Sequence, residues 1–179
     1  MSADIKQFPV YPLNEKTVFR FQVHLLSGLM TENFLKQHKK MPMRTIDIRG
    51  SQTLEDLHNA IFKAFDRFDQ HLFEFQIGGK KPMDKKSIRY GILGFDDDME
   101  ENIEDATTAT IASLILMPGN FFFYWFDFGD DWWHKVIFDT INPESKGKGR
   151  YPRIVERIGE SPPQYVDWDA ESDEHDMSE

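Results

Sequence analysis

Between Thr17 and Leu26 apolar and polar positions alternate without a break, Phe19, Phe21, Val23 and Leu25 against Arg20, Gln22 and His24. That period of two belongs to a strand with one buried face. It returns from Met43 to Arg49 through Ile46 and Ile48, and from His71 to Ile77 through Phe73, Phe75 and Ile77, closed by Gly78 and Gly79. The first two strands read as an antiparallel hairpin with a long connection, in which residues 32–38 suit a helical turn. Between the second and third strands the period changes. Leu54, Leu57, His58, Ile61, Phe62, Phe65 and Phe68 fall on one helical stripe, with Glu55, Asn59, Lys63 and Asp66 opposite. Thr53 with Asp56 three residues later forms a capping box that starts the helix there. A histidine on such a stripe, His58, reads as a packed core residue rather than a ligand. Residues 80–105, with Pro82, Gly91, Gly94 and an acidic run, read as an irregular excursion, and Ile111, Leu114 and Ile115 as a short helix.

The densest apolar stretch is Phe121 to Ile141, FFFYWFDFGDDWWHKVIFDTI. Two alternating segments flank Gly129-Asp130, and a two-residue loop with glycine first predicts a type II′ hairpin. In that register Asp127 faces Trp132, Phe126 faces Trp133 and Trp125 faces His134. Both faces are then strongly apolar, so the hairpin is expected at the centre of the fold, covered on both sides. Its tip gathers Asp127, Asp130, Asp131 and His134. After it come Pro143, a Lys/Gly loop, Tyr151-Pro152 and a short helical turn at residues 154–158.

The expected order is β-β-α-β-α-β-β: an α+β fold with a mixed, largely antiparallel sheet and one main helix across it, grasp-like in the order of its elements. One domain over residues 1–166 and an acidic, disordered tail over 167–179 account for the 179 residues. With 16 Phe and 4 Trp the chain has ample material for a core. It has no cysteine, which excludes disulfides, thiolate metal sites and cysteine nucleophiles and suits a reducing cytoplasm. No stretch has the ~20 apolar residues of a membrane span. A net charge of −10 opposes general affinity for nucleic acid. The basic residues Lys80, Lys81, Lys85, Lys86, Arg150 and Arg153 read first as solvated loops, with a composite basic patch for nucleic acid as the minority alternative.

Leu54-Glu-Asp-Leu57-His58-Asn-Ala-Ile61, then Ala64-Phe65, His71-Leu72-Phe73-Glu74-Phe75, Tyr124-x-Phe-Asp127-Phe128-Gly129-Asp130-x-Trp132-x-His134 and Tyr151-Pro152 resemble the plasmid-borne ORF-three-like family, named after a reading frame on a root-inducing plasmid. The resemblance runs from Val18 to Pro163 and is most specific in the Asp-Phe-Gly-Asp-x-Trp-x-His block. It implies an α+β domain of undetermined biochemical role. Some members are labelled insertion-element TnpR-like passenger proteins, which implies an association with mobile elements; no resolvase chemistry is found in these residues. The chain departs from the family pattern at Phe68 (usually Trp), at Phe126 (usually Tyr), and after Pro163, where Gln164-Tyr165-Val166-Asp167-Trp168 replaces an acidic pair and a double glycine.

Phosphate-loop, nucleophile-elbow and kinase patterns are missing, and Asp96, Asp98 and Glu100 fail the calcium-loop spacing because Glu101 stands where glycine is required. The hairpin tip is the concentrated chemistry. Two functions from different classes suit it. In the first, preferred here, the chain is a binding domain for a protein partner, with Tyr124, Trp132 and their aromatic neighbours as anchors beside Asp127, Asp130 and Asp131. In the second it is a hydrolase or nuclease in which Asp127, Asp130 and His134 hold a divalent metal that activates water. No cofactor other than that metal is implied, and the balance leans against an enzyme.

Overall fold

A computed structural model describes residues 14–93, 102–141 and 149–166. The expected tail, the calcium-loop candidates Asp96, Asp98 and Glu100, and most of the N-terminal segment lie outside them. The fold is α+β: an eight-stranded mixed sheet in the order β5-β4-β3-β6-β7-β1-β2-β8. The strands are β1 (Val18–Ser27), β2 (Met43–Arg49), β3 (Phe73–Ile77), β4 (Ile88–Gly91), β5 (Ile103–Asp105), β6 (Phe121–Phe126), β7 (Trp132–Ile141) and β8 (Arg153–Ile158). Every pairing is antiparallel except that of β4 with β5.

Among the described residues two α-helices accompany the sheet. Helix α1 (Glu32–Gln37) is a short surface turn capped by Thr31, and α2 (Leu54–Ala64) is the main one. The capping box at Thr53 and Asp56 forms as its sequence requires, with Asp56 N–H donating to the Thr53 hydroxyl and Thr53 N–H to the Asp56 carboxylate. Leu54, Leu57, Ile61 and Phe65 are buried against Phe19, Phe21, Ile46 and Ile48 of the sheet. Each such side chain contributes roughly 1.5–3 kcal/mol on leaving water. The stripe stops sooner than its periodicity suggests. Asp66 takes a left-handed φ of 57° after the last turn, and Phe68, expected on the apolar stripe, is 71% exposed.

Three segments differ from the expected reading. Residues 80–105 contain β4 and β5, both short and built largely from half-exposed residues. Residues 154–158 extend as β8 instead of forming a helical turn. Between residues 110 and 116 the chain makes a 3-10 helix, Ile111–Leu114, ended by Ile115 in the left-handed region. An outer strand such as β8 buries no continuous face, so it shows little of the alternation that marks β1.

The central hairpin also differs, and this decides where its side chains lie. Phe126 faces Trp132, Trp125 faces Trp133 and Tyr124 faces His134, one residue out from the type II′ register. The cause is the loop. Asp127 and Asp131 both adopt φ of 54°, so residues 127–131 form a five-residue connection. A one-residue slip exchanges the faces of one strand relative to the other. Phe122, Tyr124 and Phe126 therefore share the helix side of the sheet with Trp132, His134, Val136 and Phe138, all buried. Trp125, Trp133, Phe121 and Lys135 occupy the opposite side and are only half-buried. The expected cover on both sides is therefore not seen at these positions.

Candidate functional site

The tip is held by its own aspartates. Asp127 N–H donates to the Leu72 carbonyl (3.0 Å), and the Asp127 carboxylate accepts from the Gly129 and Asp130 amides at 3.2 and 3.4 Å. The Asp131 carboxylate accepts from Trp125 Nε1 at 2.9 Å. That indole is stacked between Trp133 (4.9 Å between ring centroids) and Phe128 (4.0 Å). The rings thus form one aromatic block behind the tip.

The loop that follows α2 comes up against this tip. His71 Nε2 lies 3.5 Å from Asp127 Oδ2, 3.6 Å from Asp69 Oδ2 and 2.9 Å from the Tyr165 hydroxyl, which donates to Asp69. Tyr165 reaches this place because the C-terminal segment is tied to the same loop. The Gln164 side chain accepts from the amides of Phe68 and Asp69 and donates to the Asp69 carbonyl, and Arg67 Nη1 donates to the Pro162 carbonyl. Asp130 titrates above an ordinary aspartate, first through burial and then through the charge of Asp127. The Tyr165 hydroxyl is pushed up to about 12 by its bond to Asp69, by burial, and by the surrounding carboxylates.

Beneath the tip the polar groups face inward. His58 Nδ1 is 2.7 Å from the Tyr124 hydroxyl, Nε2 is 3.4 Å from Gln70 Oε1, and the ring stacks on Phe73 at 3.8 Å. Burial lowers its pKa to about 4 against the opposing bond to Gln70. His134 is enclosed by Phe65 and Tyr124, and neither ring nitrogen has a hydrogen-bond partner. Burial, then the charge of Arg67, lowers its pKa to about 3, with weak backbone approaches from Trp132 and Tyr124 offsetting part of this. Arg67 itself is buried, its guanidinium 3.7 Å above the Trp132 ring.

Of the residues singled out from the sequence, Asp127, Asp130 and Asp131 lie together at the tip, whereas Tyr124, Trp132 and His134 are core residues below it. Asp127, Asp130 and His134 do not converge, and among the described residues no three His, Asp or Glu side chains stand close enough to hold a metal ion. The two basic groups also stand apart. Lys80, Lys81, Lys85 and Lys86 sit on the turn between β3 and β4, ordered by the Asp84 carboxylate, while Arg150 and Arg153 lie beside β8. Five strand spacings, roughly 24 Å, separate β3 from β8.

An open cleft of about 740 Å³ adjoins the tip. Glu55, His58 and Asn59 of α2 form one wall, Gln70 to Phe73 another, and Ile92 closes the floor. Sequence reasoning passed over His71, Asp69, Gln70 and Tyr165. The one available signal was the departure from the family pattern at Gln164-Tyr165, which falls on the segment that packs against the tip.

The fold and site define an α+β domain with a ligand-sized cleft beside an acidic hairpin tip. The chain belongs to the plasmid pRiA4b ORF-3-like protein family, whose model matches residues 33–169. It is similar to the uncharacterized protein y4hQ of Sinorhizobium fredii, 26% identical over 125 residues that make up 69% of this chain and 58% of the relative. The chain thus spans little more than half of that relative's length. A crystal structure of a protein of unknown function from Methanosarcina mazei Go1 shares the fold, with a TM-score of 0.57 and 24% identity over 79% of this chain and 69% of the other. Among the described residues no helix is long and apolar enough to cross a membrane.

Proposed function

We propose that this chain is a binding domain whose ligand is a segment of a partner protein, received in the cleft between α2 and the start of β3. The observation that carries the reading is the position of His71, which lines the cleft and stands 3.5 Å from Asp127. The cleft and the tip are therefore one continuous surface, apolar on the floor and polar at the rim, as recognition sites for flexible segments are. Phe128, exposed on the tip, and the aromatic block behind it extend this surface with rigid side chains that lose little entropy on binding. No observation among the described residues favours metal-assisted hydrolysis at Asp127, Asp130 and His134, because the imidazole is enclosed in the core. The reading is tested by saturation-transfer NMR with a mixed library of short peptides. Peptides bound by the wild-type chain and lost in Leu72→Trp, whose larger, uncharged side chain narrows the cleft from an exposed position, are the expected result. No transfer to any peptide would dismiss it.

A further inference from the structure

Resting on that reading of the cleft, we propose that it takes the side chain of a lysine or arginine from the partner, with the charge against Glu55 and the aliphatic stem along Leu72, Phe73 and Ile92. Among the described residues the lining supplies one carboxylate, Glu55, and no lysine or arginine. His58 offers no competing positive charge at neutral pH, since its pKa has fallen to about 4. Immediately beyond His71 stand Asp69, Asp127 and Asp130. The nearby cation, Arg67, is turned away onto Trp132 and the Pro162 carbonyl.

Three classes of occupant meet this site differently. An acidic side chain would be placed beside Glu55 and the tip aspartates with no lysine or arginine among the described lining residues to compensate. A purely apolar one would cover the floor but strip water from Glu55 without pairing it, which costs free energy. Lysine and arginine do both jobs, because a long alkyl stem packs on apolar surface while the charged end stays at the rim. The Asn59 and Gln70 amide oxygens at that rim are further acceptors for the ammonium or guanidinium hydrogens.

The test is an amide-detected NMR titration of the full chain with four end-blocked tripeptides, Gly-Arg-Gly, Gly-Lys-Gly, Gly-norleucine-Gly and Gly-Glu-Gly. The expected result is saturable shifts at Glu55, His71, Leu72, Phe73 and Ile92 with the first two peptides only. Affinity should fall with added salt and drop three- to tenfold in Glu55→Gln, whose spectrum reports on folding. Equal binding of the norleucine peptide, or preference for the glutamate one, overturns this inference while leaving the binding domain in place. No shift at the cleft with any of the four peptides, or with the mixed library, removes both. Free butylguanidine that binds as tightly as the arginine peptide overturns the assignment to a protein segment.

Discussion

The Tyr124 hydroxyl and His58 Nδ1, 2.7 Å apart, join the central strand β6 to helix α2 inside the core. Both side chains are buried, so each is the other's replacement for water. Tyr124→Phe keeps the ring and removes the bond, leaving an imidazole nitrogen buried without a partner. We expect a loss of about 1–3 kcal/mol in urea unfolding. A loss below a few tenths would mean that His58 is satisfied by Gln70 alone.

The buried histidines also set a pH dependence. His58 and His134 titrate at about 4 and about 3, against an ordinary value of 6.5. The unfolded chain therefore takes up protons near pH 6.5 that the native fold refuses. Their contribution is complete above that pH and is lost as the pH falls through 6 and 5 towards the native values. With ~1.4 kcal/mol per pKa unit, His58 accounts for roughly 3 kcal/mol and His134 for roughly 5 kcal/mol over the whole range. His134→Leu should flatten this part of the stability curve without lowering stability at pH 7, because neither ring nitrogen has a bond to lose. Melting temperatures of the two proteins from pH 7.5 to 4.5 check this; parallel curves would remove His134 from the account.

Trp132 is clamped between Gly28 and Arg67. A Cβ built at Gly28 would lie 2.0 Å from the indole Cε3, and its φ of 158° adds to the constraint. Gly28→Ala must push a fully buried ring against the guanidinium 3.7 Å beyond it. Overpacking of this kind costs typically 1–3 kcal/mol or more. The near-ultraviolet circular dichroism of the tryptophans should change along with the melting temperature; an unchanged spectrum would show that the end of β1 yields instead, where its register on β7 shifts between Leu25 and Ser27.

Much of this architecture was legible where a residue's own neighbours in sequence determine its surroundings. Helix α2 announced itself by Thr53, Asp56 and a stripe of seven positions, and β1 by its alternation. The hairpin was legible as a hairpin but not in its register, because two aspartates, not the glycine between them, adopt the left-handed conformation that sets the loop. The acidic tip was legible as well. Its surroundings were not, since His71 and Tyr165 are 94 residues apart in sequence. They meet through backbone amides capped by Gln164, an interaction that leaves no periodicity to read. Exposed β8 was hidden for a different reason: a strand with little buried face needs no pattern.

The segment from Ser161 to Tyr165 is fastened by a few specific bonds, so one substitution should release it. Gln164 is buried and makes three hydrogen bonds to the backbone of Phe68 and Asp69. Arg44, also buried, donates to the carbonyls of Ala64, Ile158 and Gly159 and to the Ser161 hydroxyl. Gln164→Ala strands two amides and a carbonyl at the end of the segment but leaves Arg44 and β8 in place. We expect a loss of about 1–3 kcal/mol in local rather than global stability. Hydrogen exchange should therefore speed up at Phe68, Asp69 and His71 while Ile46 and Phe21 stay protected. The proposed cleft would bind its peptide more weakly too, because His71 loses its support from Tyr165. Uniformly faster exchange across the sheet would instead make the segment part of the global folding unit, and unaltered exchange at Phe68 and Asp69 would show that Arg67 and Arg44 hold it without Gln164.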